Sequence, residues 1–321
     1  MEASVTYGGM SVPSGKKRAQ YITMPGTDYR LPLTIVNGKR DGRKILITAS
    51  IHGFEYPGIL SAAELSQELD PAEVSGAVII IPVVNASGFY GRQTYVCPDD
   101  EERKNLNRLA PGNPEGTFGE RLIAYLYAEF VSRVDFHIDL HSGDATEDLI
   151  SFAAAGNSPD PDTRAYVYEA IHHTDYPYYT QSSGSGEFYN GSAIYCRIPS
   201  MMFEIGGAGM WTRDQVDREK ENLRRIARFL GILPGEAPYN ETQVQLTRQS
   251  WIGAEATGFF FPLVAIGDMV QEGQKLYEIR DVFGRLLAEH YARHNGKVMI
   301  LARTLGISEG DDTIFYGAAQ A

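Results

Sequence analysis

The sequence predicts an α/β protein: an open, mostly parallel sheet built by strands and helices that alternate up to Leu230, followed by a small all-β domain. Three observations predict it. β-rich apolar runs alternate with segments of helical periodicity. Residues 77–84 are apolar on both faces, as in a strand buried between two helical layers. After Leu233-Pro234-Gly235 the text turns to short β-type runs with frequent glycines and no useful helical period. The expected division is a domain over residues 1–235 and a second over 236–321.

Composition narrows the function classes. A formal net charge of -12 and no dense run of Lys or Arg argue against nucleic acid as a partner. Only Cys97 and Cys196 occur, too few for a disulfide framework, which fits a reducing cytoplasm. Residues 1–17 have no apolar core of signal-peptide length, and no apolar stretch approaches the ~20 residues that span a bilayer. These features predict a soluble protein with no membrane partner, and leave a homo-oligomer open.

Taken in order, residues 19–24 and 31–36 read as short strands at one edge of the main sheet, the second running into the turn dipeptide Asn37-Gly38. Residues 44–50 form a strand that ends at Ser50-Ile51-His52-Gly53-Phe54-Glu55, and a helix follows over 57–69 with Pro57 in its first turn. Pro82 weakens the end of the buried strand, which stops at Asn85. Residues 86–114 are a long segment rich in Gly, Pro and charge, of the kind that is usually functional. Thr117 and Glu120 have capping-box spacing, and Leu122, Ile123, Leu126 and Phe130 supply one helical face. A strand over 134–140 ends at His141, and Asp160-Pro161 opens a helix through Ile171. The pair His172-His173 reads as structural, because adjacent side chains point apart. Residues 176–191, rich in aromatics, Ser and Gly, read as a loop over a site. A short strand over 200–203 ends at Glu204, and a helix with a second capping box at Thr212 and Gln215 runs to Leu230.

Sheets of this kind bind ligands beyond the carboxyl ends of their strands. His52 and Glu55 follow one strand, the segment to Arg108 another, His141 a third and Glu204 a fourth, so their chemistry is expected at one edge. His52, Glu55 and His141 make a two-His, one-carboxylate set that suits one zinc ion and leaves a position open for water, whose pKa zinc can lower to roughly 7. Glu204 is the spare acid, placed to take a proton from that water and hand it to a leaving amine. Arg92, Asn107 and Arg108 offer planar, multi-donor groups for a substrate carboxylate and a developing oxyanion.

These residues resemble the succinylglutamate desuccinylase and aspartoacylase family, itself related to zinc carboxypeptidases. The resemblance rests on His52-Gly53-Phe54-Glu55, on Arg92 through Tyr95-Val96-Cys97-Pro98 to Asn105-Leu106-Asn107-Arg108 with Pro111-Gly112, on Asp139-Leu140-His141, and on Phe203-Glu204-Ile205-Gly206-Gly207. It implies a zinc-carboxypeptidase-like mixed sheet with helices on both faces, and a zinc amidohydrolase that removes an acyl group from an N-acyl amino acid or related small amide. It further implies His52, Glu55 and His141 as zinc ligands and Glu204 as the catalytic glutamate. Asn107 and Arg108 would hold a substrate carboxylate, and Arg92 would steady the scissile carbonyl. Two departures stand out: residues 99–104 look longer and more acidic than usual, and Leu109-Ala110 replaces a Val-Phe-like pair.

The second domain is similar, over residues 267–279, to the hairpin of biotinyl and lipoyl carrier domains, yet Arg280-Asp281-Val282-Phe283-Gly284 has no lysine to modify. It reads as a shape element at the active-site rim. Two other functions compete with the deacylase. A zinc carboxypeptidase acting on peptides would need an open groove, and a non-catalytic zinc protein binding a carboxylate would have no use for Glu204.

Overall fold

The computed structural model describes residues 4–95, 105–184 and 186–319. Cys97 and the acidic segment 99–104 lie outside the described residues. The chain opens with an antiparallel hairpin, β1 (Ser4–Tyr7) and β2 (Met10–Pro13). It continues through β3 (Lys16–Thr23), β4 (Arg30–Asn37), β5 (Arg40–Ala49), α1 (Tyr56–Glu68), β6 (Ser75–Ile81), α2 (Ala86–Gly91) and α3 (Phe118–Glu129). Then come β7 (Phe136–His141), β8 (Glu147–Leu149), β9 (Phe152–Ala155), α4 (Pro161–His172), β10 (Tyr178–Gln181), α5 (Phe188–Tyr195), β11 (Ser200–Glu204), α6 (Arg213–Phe229) and β12 (Val244–Gln245).

Nine of these strands form one mixed sheet in the order β12-β10-β9-β11-β7-β5-β6-β4-β3. Its centre, β11-β7-β5-β6, is parallel, and β3 and β4 close one edge antiparallel, where the sequence places them. Period-two alternation along β5 and β7 sends side chains to opposite faces. Ile45, Ile47, Ile138 and Leu140 pack with Ile59 and Leu65 of α1 and Leu223 and Ile226 of α6. Leu46 and Ile79 pack on the other face with Leu122, Ile123 and Leu126 of α3 and Phe188 of α5. Each fully buried aliphatic side chain contributes about 1.5–3 kcal/mol, so both faces are anchored by helices. Gly58 lets α1 sit close on β7, since a Cβ there would lie 2.7 Å from the Leu140 Cβ.

Both predicted capping boxes form, at Thr117 with Glu120 and at Thr212 with Gln215. Asp160 caps α4 by accepting from the Asp162 and Thr163 amides. His172 and His173 contact backbone carbonyls of Asn240, Ala237 and Pro238, a structural role as expected. Two stretches expected as loops hold regular structure. Residues 86–114 contain α2, capped by the Asn85 side chain on the Gly88 amide. Residues 176–191 contain β10 and the start of α5; of the described residues between those two elements, 182–184, 186 and 187 are irregular. The α5 helix reads like a loop because it is wedged: a Cβ at Gly191 would lie 2.2 Å from the Tyr127 hydroxyl.

Beyond α6, β12 still belongs to the large sheet, pairing parallel with β10. The remainder is all β: β13 (Arg248–Gly253), β14 (Gly258–Pro262), β15 (Met269–Val270), β16 (Lys275–Arg280), β17 (Leu286–Tyr291), β18 (Gly296–Ala302), β19 (Gly306–Ile307) and β20 (Asp312–Ala318). They make two small sheets, β13-β20-β18-β15 and β17-β16-β14-β19. β8 crosses over to pair antiparallel with β18, Leu149 opposite Ile300. The β16–β17 turn is closed by Asp281, which accepts from the Phe283 and Arg285 amides. Among the described residues, no helix is long and apolar enough to cross a membrane.

Candidate active site

Strand ends carry the site. β5 stops at Ala49, and buried Ser50 turns the chain with φ 62° into the loop bearing His52 and Glu55. Glu55 also occupies the N-cap of α1 and is only 2% exposed. β7 ends on His141 and β11 on Glu204, and the parallel register sets these two residues opposite each other. One donor atom from each of His52, Glu55 and His141 lies within 4.8 Å of the others.

The hydrogen bonds around these three residues test whether a cation fits. His52 Nε2 lies 2.9 Å from Asn105 Oδ1, and His141 Nε2 lies 2.9 Å from Asp139 Oδ2. Both acceptors draw the ring proton to Nε2, as hydrogen-bond partners behind metal-bound imidazoles do. The Nδ1 lone pairs then face one carboxylate: His52 Nδ1 is 2.7 Å from Glu55 Oε1 and His141 Nδ1 is 3.0 Å from Glu55 Oε2. The second contact is close but not aligned as a hydrogen bond, and Glu55 Oε2 is buried without a hydrogen-bond partner. Two lone pairs and two carboxylate oxygens converge favourably only around positive charge. Protons are one source: burial works against charge on both imidazoles, but Glu55 outweighs it, so His52 is raised and His141 raised well above the ordinary value. Burial likewise opposes the Glu55 charge, and His141 and His52 nevertheless hold its carboxyl down at about 2. A divalent cation is the other source, and the donor set fits one.

Glu204 stands beside this cluster without joining it. Its Oε2 is shut off from solvent with no hydrogen-bond partner. Burial first, with Glu55, Glu147 and Glu219 adding to it against His141, pushes its carboxyl well above the usual range. An acid of that kind can hold a proton near neutrality and exchange it. Glu147 is also lifted, to about 7, by burial and by Asp312 and Asp144.

A cavity of about 560 Å³ opens over the cluster, lined by His52, Glu55, His141 and Glu204. Asn107 and Arg108 line it too, from the short 3-10 turn Leu106–Arg108. Asn107 is fixed, its Oδ1 accepting from the Phe188 amide at 2.7 Å, while Arg108 is exposed. Loop residues 182–184 and Glu187 form one side, and Gln249, Trp251, Ile300, Asp312 and Phe315 of the C-terminal strands form another. Arg92 is the site residue that the structure does not bring there. It ends α2 in the left-handed region, φ 52°, exposed, and is not among the cavity's described lining residues. Tyr95, three residues on, is among them, with its ring edge-on to His52.

Several residues around the site were not singled out by sequence. Asp139 enters the sequence reading only as motif text, and Asn105 likewise, yet each bonds an imidazole of the cluster. Thr48 donates to Asp139 at 2.5 Å from the neighbouring strand, and His137 stands on Thr48 at 2.9 Å. A signal did exist: His137, Asp139 and His141 alternate at two-residue spacing, which places all three on one face of β7. Asp144, Glu147 and Asp312 had no comparable pattern.

The fold and site together define an α/β protein with a buried His-Glu-His cluster that could hold a cation and an adjacent acid at the carboxyl edge of its sheet, an arrangement suited to hydrolysis. Residues 41–230 match the model of the succinylglutamate desuccinylase/aspartoacylase catalytic domain. The chain belongs to that family, whose members are hydrolytic deacylases. It is similar to the N-alpha-acetyl-L-2,4-diaminobutyric acid deacetylase of Halomonas elongata, 28% identical over 291 residues, covering 88% of this chain and 83% of that one. Among solved structures, the product-bound ectoine utilization protein EutE (DoeB) of Ruegeria pomeroyi superposes with a TM-score of 0.83 at 27% identity, covering 94% of this chain and 95% of that one. A succinylglutamate desuccinylase/aspartoacylase of Rhodobacter sphaeroides, 24% identical over 95% of this chain and 96% of that one, shares the fold with a TM-score of 0.82.

Proposed function

We propose that this chain is a zinc-dependent amidohydrolase that removes the acyl group from an N-acyl amino acid or a related small amide. The observation that carries the reading is the convergence of His52, Glu55 and His141 within 4.8 Å, beside an unpartnered acid, Glu204, in the same cavity. His52, Glu55 and His141 would hold the ion. Zinc there would supply Lewis-acid polarisation of the scissile carbonyl and make water acidic enough to attack near neutral pH.

The chain's own residues do the rest. Asp139 and Asn105 fix the imidazoles so that Nδ1 faces inward. Glu204, as carboxylate, takes the proton from the attacking water and, as acid, passes it to the departing nitrogen, so that the amine leaves neutral. Arg108 forms a charge-assisted contact with the substrate carboxylate, and Asn107, its Oδ1 held by the Phe188 amide, turns its amide N–H groups toward it. The carbonyl-steadying role of Arg92 requires its exposed side chain to swing in from the end of α2. Residues 236–321 act as the rim that shapes the substrate end, supported by the lining contributed by Gln249, Trp251 and Phe315. We further infer a cytoplasmic enzyme, on the low cysteine content, acting on a small molecule.

Screening the zinc-loaded protein against N-acetyl and N-succinyl amino acids and N-acetylated diamine derivatives tests the reading. Chelator-sensitive release of free amine from at least one of them is expected. No release from any, with zinc bound, overturns it.

A further inference from the structure

Beneath the cation cluster runs a chain of hydrogen bonds whose every direction can be worked out. It links α5 to the ligand His141 through four side chains that are not among the cavity's described lining residues: Ser192, His137, Thr48 and Asp139. His137 is fully buried on β7, two strand positions before Asp139 and four before His141. Its Nδ1 lies 2.9 Å from Ser192 Oγ and its Nε2 lies 2.9 Å from Thr48 Oγ1. Thr48 Oγ1 lies 2.5 Å from Asp139 Oδ1, and Asp139 Oδ2 lies 2.9 Å from His141 Nε2. Strand pairing fixes the spacing, since Thr48 and Asp139 are register partners across β5 and β7.

A carboxylate only accepts. Asp139 therefore receives the Thr48 hydroxyl proton on one oxygen and the His141 Nε2 proton on the other. Thr48, having spent its one proton, must accept from His137, so His137 carries its proton on Nε2. Its Nδ1 then accepts from Ser192, whose hydroxyl is nearer to that nitrogen, at 2.9 Å, than to the Phe188 carbonyl, at 3.3 Å. Donation runs from Ser192 to His137 to Thr48 to Asp139, and meets the His141 proton there. Every link is satisfied, a condition under which a buried network rigidifies its members. Burial keeps His137 neutral, its pKa lowered to about 4, as a single-proton relay member requires.

We propose that Thr48 and His137 are positioning residues that fix the orientation of Asp139 and thereby the tautomer of His141 that presents Nδ1 to the cation. This rests on the metal reading above. Without the Thr48 donor, Asp139 can rotate or turn its second oxygen to His141, and the imidazole loses its fixed aim. Ser192 gives the chain a footing on α5, whose Phe188 amide also holds the carboxylate-binding Asn107.

Zinc titration of the apoprotein against a coloured chelator tests this, with thermal melting as the check on folding. Thr48→Val keeps the side chain's shape and removes the donor, and should weaken zinc by about tenfold or more, as loss of outer-shell partners of metal ligands does. Thr48→Ser restores the hydroxyl and should recover most of the affinity. His137→Leu should weaken zinc, and His137→Gln, which can still donate toward Thr48, should weaken it less. On the deacylase reading, Thr48→Val should lower kcat and leave KM near its original value, since the cavity wall is untouched. A folded Thr48→Val protein whose zinc affinity stays within about twofold of Thr48→Ser overturns the proposal, because outer-shell loss typically costs more. That comparison stands even if His137→Leu does not fold. A wild-type protein that takes up no zinc defeats the metal reading itself, a different and recognisable outcome.

Discussion

Glu204 and His141 are register partners on adjacent parallel strands, each the last residue of its strand. The spacing between a candidate ligand and a candidate base is therefore set by backbone hydrogen bonds rather than by loop conformation. Substituting Glu204 by Gln keeps size and strand geometry and removes the proton-accepting oxygen. Glu204→Gln is expected to retain its zinc while turnover falls by at least about a hundredfold, the lower end of general acid-base contributions. Zinc content measured alongside turnover checks this; loss of metal with activity would make Glu204 a ligand instead.

Removing a ligand should act on the metal first. His52→Ala and His141→Ala each leave two protein donors where a catalytic zinc uses about three. Metal analysis after dialysis is expected to fall from about one zinc per chain to a small fraction in both. Full retention in both variants would mean that the ion sits elsewhere.

Arg108 is an exposed cation at the cavity rim, and its value lies in a charged partner. Arg108→Ala should raise KM for a carboxylate-bearing substrate on the order of tenfold or more, and much less for the amidated analogue. Equal loss with both substrates would leave Arg108 without a role in reading the carboxylate.

Glu219 offers a test in stability rather than activity. It is 0% exposed on α6, its Oε2 is 2.9 Å from the Ser61 hydroxyl, and burial lifts its carboxyl from 4.5 to about 8. The folded form thus binds a proton that the unfolded chain releases near 4.5. Its contribution is fully present below about 4.5 and is lost as pH rises toward 8. Glu219→Gln, which needs no proton to stay neutral, should flatten that decline, by on the order of a few kcal/mol at pH 8. Urea unfolding of both proteins at pH 5 and pH 8 measures it; parallel pH dependence would show Glu219 to be ionised in the fold.

Much of this arrangement was legible because it is written in local signals. Capping boxes at Thr117 and Thr212 fixed two helix starts, and apolar runs that stop at His141 and Glu204 put chemistry at strand ends. The C-terminal change of texture at 235 was visible, but β12 was not: two residues have no periodicity, and only β10 makes them a strand. α5 was hidden for a packing reason, since its Gly, Ser and Asn positions answer to close neighbours such as Tyr127 and His137 rather than to solvent. The partners of the imidazoles escaped because their value depends on registers between strands distant in sequence, as Thr48 with Asp139 shows. Arg92 read as a site residue from its planar donor group and its place in the family motif; the fold sets its backbone at the end of α2 with its side chain exposed.

The crossing of β8 into the C-terminal sheet bears on traffic through the cavity. Three residue pairs join β8 to β18, and the Ile150 and Arg303 amides extend the seam on either side by bonding Met299 and Thr146 carbonyls. A hinge between the two parts would have to tear that ladder, so substrate entry and product exit by lobe opening carry a heavy barrier.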